Sequence, residues 1–104
     1  MHPAINSFKQ RILKRYGDRL VRFMVFGSYA RGEHTPESDI DIFITLSGNV
    51  DWRTEENIYD LAFRVDLEWD VLLNVKVYSE EDIQKTIRGK TPFVNQVLCE
   101  GVAV

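Results

Sequence analysis

Two aspartates stand one residue apart in "SDIDIFI", Asp39 and Asp41, at the head of a run otherwise made of Ile and Phe. Side chains alternate along a strand, so both carboxylates project from one face while Ile40, Ile42 and Ile44 project from the other. Carboxylates roughly 7 Å apart on one face repel each other, and neither is cheap to desolvate. A hard divalent cation removes both costs, because it takes carboxylate oxygens as ligands and completes its shell with phosphates and water. The competing reading has Asp39 capping the turn after "PES" and Asp41 pairing with a surface Arg or Lys. Taken by itself, so common a spacing favours the capping and ion-pair reading, but it does not stand alone here.

A second feature lies just upstream. Gly27 and Ser28 end the apolar run "LVRFMVF" and open a short helix. Glycine permits close approach of the backbone, and the free N–H groups of a helix start attract anions. Ser28 adds a hydroxyl donor, and Arg31 follows within one helical turn. Singly, Ser28 reads as an N-cap and Arg31 as a solvated side chain. If the two strands are antiparallel neighbours, the Gly27–Ser28 turn and the Asp39–Asp41 pair meet at one edge of the sheet. A phosphate cradle beside a divalent-metal site is what transfer of a nucleotidyl group requires.

The remaining elements must hold these two pieces together. Residues 3–16 place Ile5, Phe8, Ile12, Leu13 and Tyr16 at helical spacing, and Gly17-Asp18 ends that helix. Strands are expected over 20–26 and 39–46, with a turn, a helical turn or two and a loop between them over 27–38. A helix over 52–68 carries Ile58, Leu61, Ala62 and Val65 on one face. A third strand is expected over 70–78, with Val71, Leu73, Val75 and Val77 as its apolar face. Ser79 with Asp82 forms a capping box for a helix to Arg88, stopped by Gly89. A last helix spans Pro92 to Glu100. Strands alternating with helices predict a single domain over 1–104, an α/β (α+β) fold with a small mixed sheet flanked by helices.

Composition excludes several alternatives. With 104 residues and a net charge of −3, the chain has no basic field advertising nucleic-acid binding. One cysteine, Cys99, excludes an internal disulfide and reads as a small buried apolar residue. His2 and His34 are expected in solvent, and Trp52 and Trp69 in core or interface packing. Charges interrupt the N-terminal apolar pattern, so neither a signal peptide nor a membrane span is expected there, and the expected location is the cytoplasm.

The long stretch "GSYARGEHTPESDIDI" resembles the Gly-Ser, spacer, Asp-x-Asp motif of the DNA polymerase β nucleotidyltransferase superfamily, and the whole chain is similar to its minimal nucleotidyltransferase (MNT) domain proteins. The resemblance implies a polymerase β-like palm fold. It also implies transfer of a nucleoside monophosphate, most often AMP from ATP, to an acceptor. On this pattern Gly27 and Ser28, with Arg31 nearby, hold the triphosphate, and Asp39 and Asp41 hold two Mg²⁺ ions. The family uses a third carboxylate from a later strand. A parallel crossover brings the start of strand three beside that of strand two, which favours Asp70 over Glu68 and Asp66. A mid-strand position would instead fall on Asn74 or Lys76. The resemblance further implies a HEPN-domain helical partner in an arrangement of the toxin–antitoxin kind, either nucleotidylated by this chain or bound by it. Self-association is the other expectation, with the apolar segment "PFVNQVLCEGVAV" as a candidate surface. The alternative function is a catalytically weak nucleotide-binding module that acts by docking.

Overall fold

The computed structural model describes residues 2–85 and 91–104. Helix α1 (Pro3–Tyr16) starts behind His2, whose Nδ1 accepts the Ala4 amide at 3.0 Å, and Pro3 occupies the first turn, where no backbone donor is needed. The next elements are β1 (Leu20–Phe26), α2 (Ser28–Arg31), β2 (Ile40–Leu46) and α3 (Trp52–Trp69). They are followed by β3 (Leu73–Ser79), α4 (Glu80–Lys85), α5 (Pro92–Glu100) and β4 (Val102–Ala103).

The strands form one mixed sheet in the order β3-β2-β1-β4. β1 runs antiparallel to β2 and to β4, while β2 and β3 are parallel and joined through α3, the crossover that parallel neighbours need. This is the mixed sheet flanked by helices expected from the sequence.

Alternation along the strands sorts the core into two layers. Phe23, Val25, Ile40, Ile42, Ile44, Leu46, Leu73, Val75 and Val77 face α1 and α3, against Ile5, Phe8, Ile12, Ile58 and Val65. On the other face Met24 and Phe43 meet Ile83, Val94 and Val97 from α4 and α5. The closing segment therefore completes a core layer, with Phe93 and Leu98 packed at its margin. Among the described residues this second face is open on the β3 side of Asp41, where Asn74 and Lys76 are exposed.

Several expectations need correction. The third strand begins at Leu73, not Asp70. Asp70 instead ends α3 in the left-handed conformation (φ 52°, ψ 51°), its amide donating to the Asp66 carbonyl. Helix α3 runs to Trp69, and a left-handed residue is needed to turn the chain back toward the sheet. Cys99 is exposed rather than buried, and Trp52 is 66% exposed. His2 is half-buried, capping α1 and meeting the Trp69 ring edge-on, whereas His34 is exposed as expected while stacking on Tyr29 with centroids 4.0 Å apart. The Ser79 hydroxyl does accept the Asp82 amide at 3.0 Å, while the expected helix end at Arg88 and Gly89 lies outside the described residues. Among the described residues no helix is long and apolar enough to cross a membrane.

A non-glycine residue in the left-handed region carries a steric penalty. Asp70→Gly should therefore leave stability unchanged or raise it by up to ~1 kcal/mol. Thermal and urea unfolding check this, and a clear loss would mean that the Asp70 carboxylate supports the fold.

Candidate functional site

The site grows from the end of β1. Phe26 is in register with Asp41, so Gly27 comes to lie against the Asp41 side chain. Gly27 has φ 69° and ψ −146°, a conformation for glycine alone, and a Cβ built on it would stand 2.4 Å from Asp41 Oδ2. Both backbone and space demand glycine here. The chain then turns into α2, where the Arg31 amide is the first to find a carbonyl, Gly27 O at 3.2 Å. The amides of Ser28, Tyr29 and Ala30 precede it, and helix geometry gives them no partner within the helix. Gly32 closes this single turn with φ 71°.

Asp41 is clamped from two sides. Gly27 packs against one carboxylate oxygen, and Asn74 Nδ2 donates to the other at 3.1 Å across the parallel β2–β3 ladder. Burial pushes the Asp41 carboxyl above its ordinary range. The Asn74 hydrogen bond opposes that rise, the charge of Asp39 adds to it, and Lys76 and Arg31 oppose it. Asp39 sits one residue before β2 and is exposed.

Two recesses flank the pair. A cleft of about 110 Å³ is lined by Phe26, Gly27, Arg31, Phe93, Gln96 and Val97. Arg31 Nε contacts Glu33 Oε2 at 3.0 Å, but both side chains are well exposed, so the pair holds Arg31 only weakly. A second recess of about 440 Å³ contains Asp39 and Asp70, with His2, Tyr29 and Ser38.

The structure thus brings Gly27, Ser28, Asp39 and Asp41 to one end of the central strand pair β1–β2, with Arg31 one helical turn away. Asp70 shares the Asp39 recess but lies at a helix end rather than on the strand beside Asp41. Asn74 occupies that strand position. Glu68 is turned to the other side of the sheet, where Arg11 Nη2 binds it at 2.6 Å. Asp66 Oδ1 accepts the Leu73 amide at 2.9 Å. The signal for Asn74 lay in the crossover itself: once α3 and its turn are counted, Asn74 falls opposite Asp41.

Among the described residues no group of three His, Cys, Asp or Glu is placed to hold a metal ion. Asp39 and Asp41 nevertheless offer hard carboxylate oxygens one residue apart on β2, and Gly27 carries no side chain to crowd Asp41. That set suits a hard cation whose remaining ligands come from phosphate and water.

Comparison with known proteins bears on the family and the fold. The family model described as "Nucleotidyltransferase domain" matches residues 5–102. Two proteins of Methanocaldococcus jannaschii, both provisionally named as protein adenylyltransferases, are similar over most of their length. One is 40% identical across 94% of this chain and 91% of its own, the other 36% identical across 96% and 94%. A solved structure provisionally identified as a minimal nucleotidyltransferase superposes with a TM-score of 0.56 at 28% identity, covering 96% of this chain and 95% of that one. A toxin–antitoxin structure with AMP-PNP shares the fold with a TM-score of 0.60 at 20% identity, over 93% of this chain and 69% of that one. So does a tri-AMPylated Shewanella oneidensis HEPN toxin in complex with MNT antitoxin, with a TM-score of 0.55 at 20% identity, over 97% and 68%. The chain belongs to the nucleotidyltransferase domain family, in its minimal nucleotidyltransferase form.

Proposed function

We propose that this chain transfers the adenylyl group of ATP to a hydroxyl of a protein acceptor. The observation that carries the reading is the Asp41 carboxylate, held between bare Gly27 and the Asn74 amide at the mouth of an anion-attracting turn. In the proposed reaction the acceptor oxygen attacks the α-phosphorus. A new P–O bond forms as the bond to the β-phosphate bridging oxygen breaks, pyrophosphate leaves with that electron pair, and the acceptor proton passes to a base or to water. Ser28 and the amides opening α2 take phosphate oxygens, and Arg31 offsets their charge. Asp39 and Asp41 would hold Mg²⁺, two ions in this reading, which when bound neutralises the triphosphate and lowers the pKa of the acceptor hydroxyl. Asn74 keeps the Asp41 carboxylate in one orientation. Asp70, across the recess from Asp39, is the acid proposed to complete the site. The use of ATP fits a cytoplasmic protein.

The protein acceptor is proposed to be a helical protein of the HEPN type, by analogy with the complexes that share the fold. A second reading, a nucleotide-binding module that acts mainly by docking to such a partner, is favoured by one observation: an amide, Asn74, stands on β3 where a carboxylate would complete an acidic triad with Asp39 and Asp41.

With Mg²⁺, α-labelled ATP and a HEPN-type acceptor, label should move to the acceptor and pyrophosphate should be released. Asp39→Asn and Asp41→Asn should each lower transfer by roughly 100-fold or more, since each removes a charge from the donor set. Label transfer that survives both substitutions would falsify the mechanism. Asp70→Asn should cut transfer while leaving ATP binding, followed by calorimetry, close to wild type. If Asp70→Asn is silent, Asp70 has no part in the reaction.

A metal-free measurement separates a functional Asp41 from a structural one. Burial raises its pKa in the folded chain above the unfolded value, so the folded state holds the proton more tightly. The corresponding stability is present below the unfolded pKa and is lost as pH rises through the folded pKa, which makes ionised Asp41 a burden at neutral pH. Asp41→Asn should therefore leave the metal-free Tm at pH 7 unchanged or raised, and its advantage should shrink as pH falls through the folded Asp41 pKa. A Tm several degrees lower at pH 7 would mark Asp41 as structural.

A further inference from the structure

Helix α3 buries Ile58, Ala62 and Val65. Helix α1 lies along one flank of it, where the Tyr16 hydroxyl donates to Asn57 at 2.6 Å and Arg11 pairs with Glu68. Helical geometry puts Tyr59, Phe63 and Leu67, at i, i+4 and i+8, on the opposite flank. They are 45%, 58% and 70% exposed. α3 packs on β3 while α1 packs on β1, so the flank of α3 away from α1 lies on the β3 side.

β3 is an edge strand, paired with β2 alone among the described residues. The Leu72 carbonyl accepts from Ile40, so in the parallel ladder residues 72, 74, 76 and 78 turn their backbone groups toward β2. Leu73, Val75 and Val77 therefore turn theirs toward the open edge. The Leu73 amide shows this direction directly, since it bonds the Asp66 side chain instead of a strand.

We infer that two copies of this chain join across this edge, β3 antiparallel to β3, about a two-fold axis at Val75. This register makes Val75 face Val75, and Val77 of each copy face Leu73 of the other, all at positions with outward backbone groups. With Asp66 keeping the Leu73 amide, the Val75 and Val77 amides still form four N–H···O=C bonds across the axis. On the outer face Asn74 lies opposite Lys76 of the second copy, and Leu72 opposite Tyr78. An axis at Lys76 would instead set two ammonium groups against each other.

The helices obey the same axis. α3 runs antiparallel to β3, so Tyr59 lies at the Tyr78 end and Leu67 at the Leu72 end. The two-fold sets Phe63 against Phe63 and Tyr59 against Leu67 of the second copy. Leu72, 56% exposed, adds apolar area on the opposite face of the sheet, against Tyr78 of the second copy. These side chains offer roughly 500 Å² per copy, so the pair covers on the order of 1,000 Å² before the edge backbone is counted, the lower bound for a specific interface. The pairing also brings Lys76 of the second copy beside Asn74, the residue that orients Asp41. It stands independently of the reaction proposed above.

Light scattering and sedimentation equilibrium of the intact chain should give a species of twice 12.1 kDa. Phe63→Glu, at an exposed position, should weaken the dimer by roughly 30-fold or more with an unchanged circular dichroism spectrum. Leu13→Glu, at an exposed apolar position on α1, should leave it intact. In a Cys99→Ser background, Phe63→Cys should yield a disulfide-linked dimer on mild oxidation, because the axis sets that residue against itself. A monomer at every concentration overturns the inference, and so does a dimer indifferent to Phe63→Glu that gives no Phe63→Cys cross-link. A stripe that is covered only by a helical protein of different sequence also overturns it.

Discussion

The contact between the bare Cα of Gly27 and the carboxylate of Asp41 sets the geometry of everything around it. It requires β1 and β2 to be antiparallel neighbours with Phe26 opposite Asp41, and it requires the chain to leave β1 through a conformation open only to glycine. Once the chain turns there, the first amides of α2 are carried to the rim of the same carboxylate. A charged group is thus packed against backbone rather than against a cation of the protein itself. Its burial is left uncompensated except by the Asn74 amide and more distant charges. Such an arrangement is a cost to stability that a bound cation would offset, in keeping with the function proposed above.

The rest of the fold holds that contact rigid. The Ile40, Ile42, Ile44 and Leu46 row is fully buried beneath α1 and α3, which fixes the register of β2 to its neighbours, since a slip by one residue would bury Asp41 and Phe43 on the wrong layer. On the opposite face α5 reaches the Asp41 end on the β1 side, where Phe93 meets Phe26. The proposed site residue Asp41 stands at the end of a strand whose other side is core, a placement that gives it the positional precision of the sheet.

Legibility in the sequence followed the range of the determining interactions. The Gly27–Ser28 turn and the Asp39–Asp41 pair were readable because alternation and glycine chemistry act over a few residues. The sheet order followed from a short connection on one side of β2 and a helical crossover on the other. Asp70 was misplaced because its left-handed conformation ends α3 without the glycine that announces such a turn, so the strand start appeared three residues early. Asn74 came to the site through the crossover register, which can be counted only once the true start of β3 is known. Cys99 lies two residues beyond buried Val97, and on a helix that separation turns a side chain to the opposite face. β4, two residues long, falls below any alternation that could mark a strand.

The Asp66 side chain that occupies the Leu73 amide has a consequence for assembly. It withholds the first outward donor of β3, so a strand added at that edge finds no ladder running past the turn and is held near one register. The opposite edge of the sheet is β4, whose two residues present almost no backbone to a newcomer. Growth of the sheet in one direction is thereby used up by a single pairing and in the other is scarcely offered. An exposed strand in so small a protein would ordinarily invite open-ended stacking into fibres. Here the edges permit closure at two copies and little more.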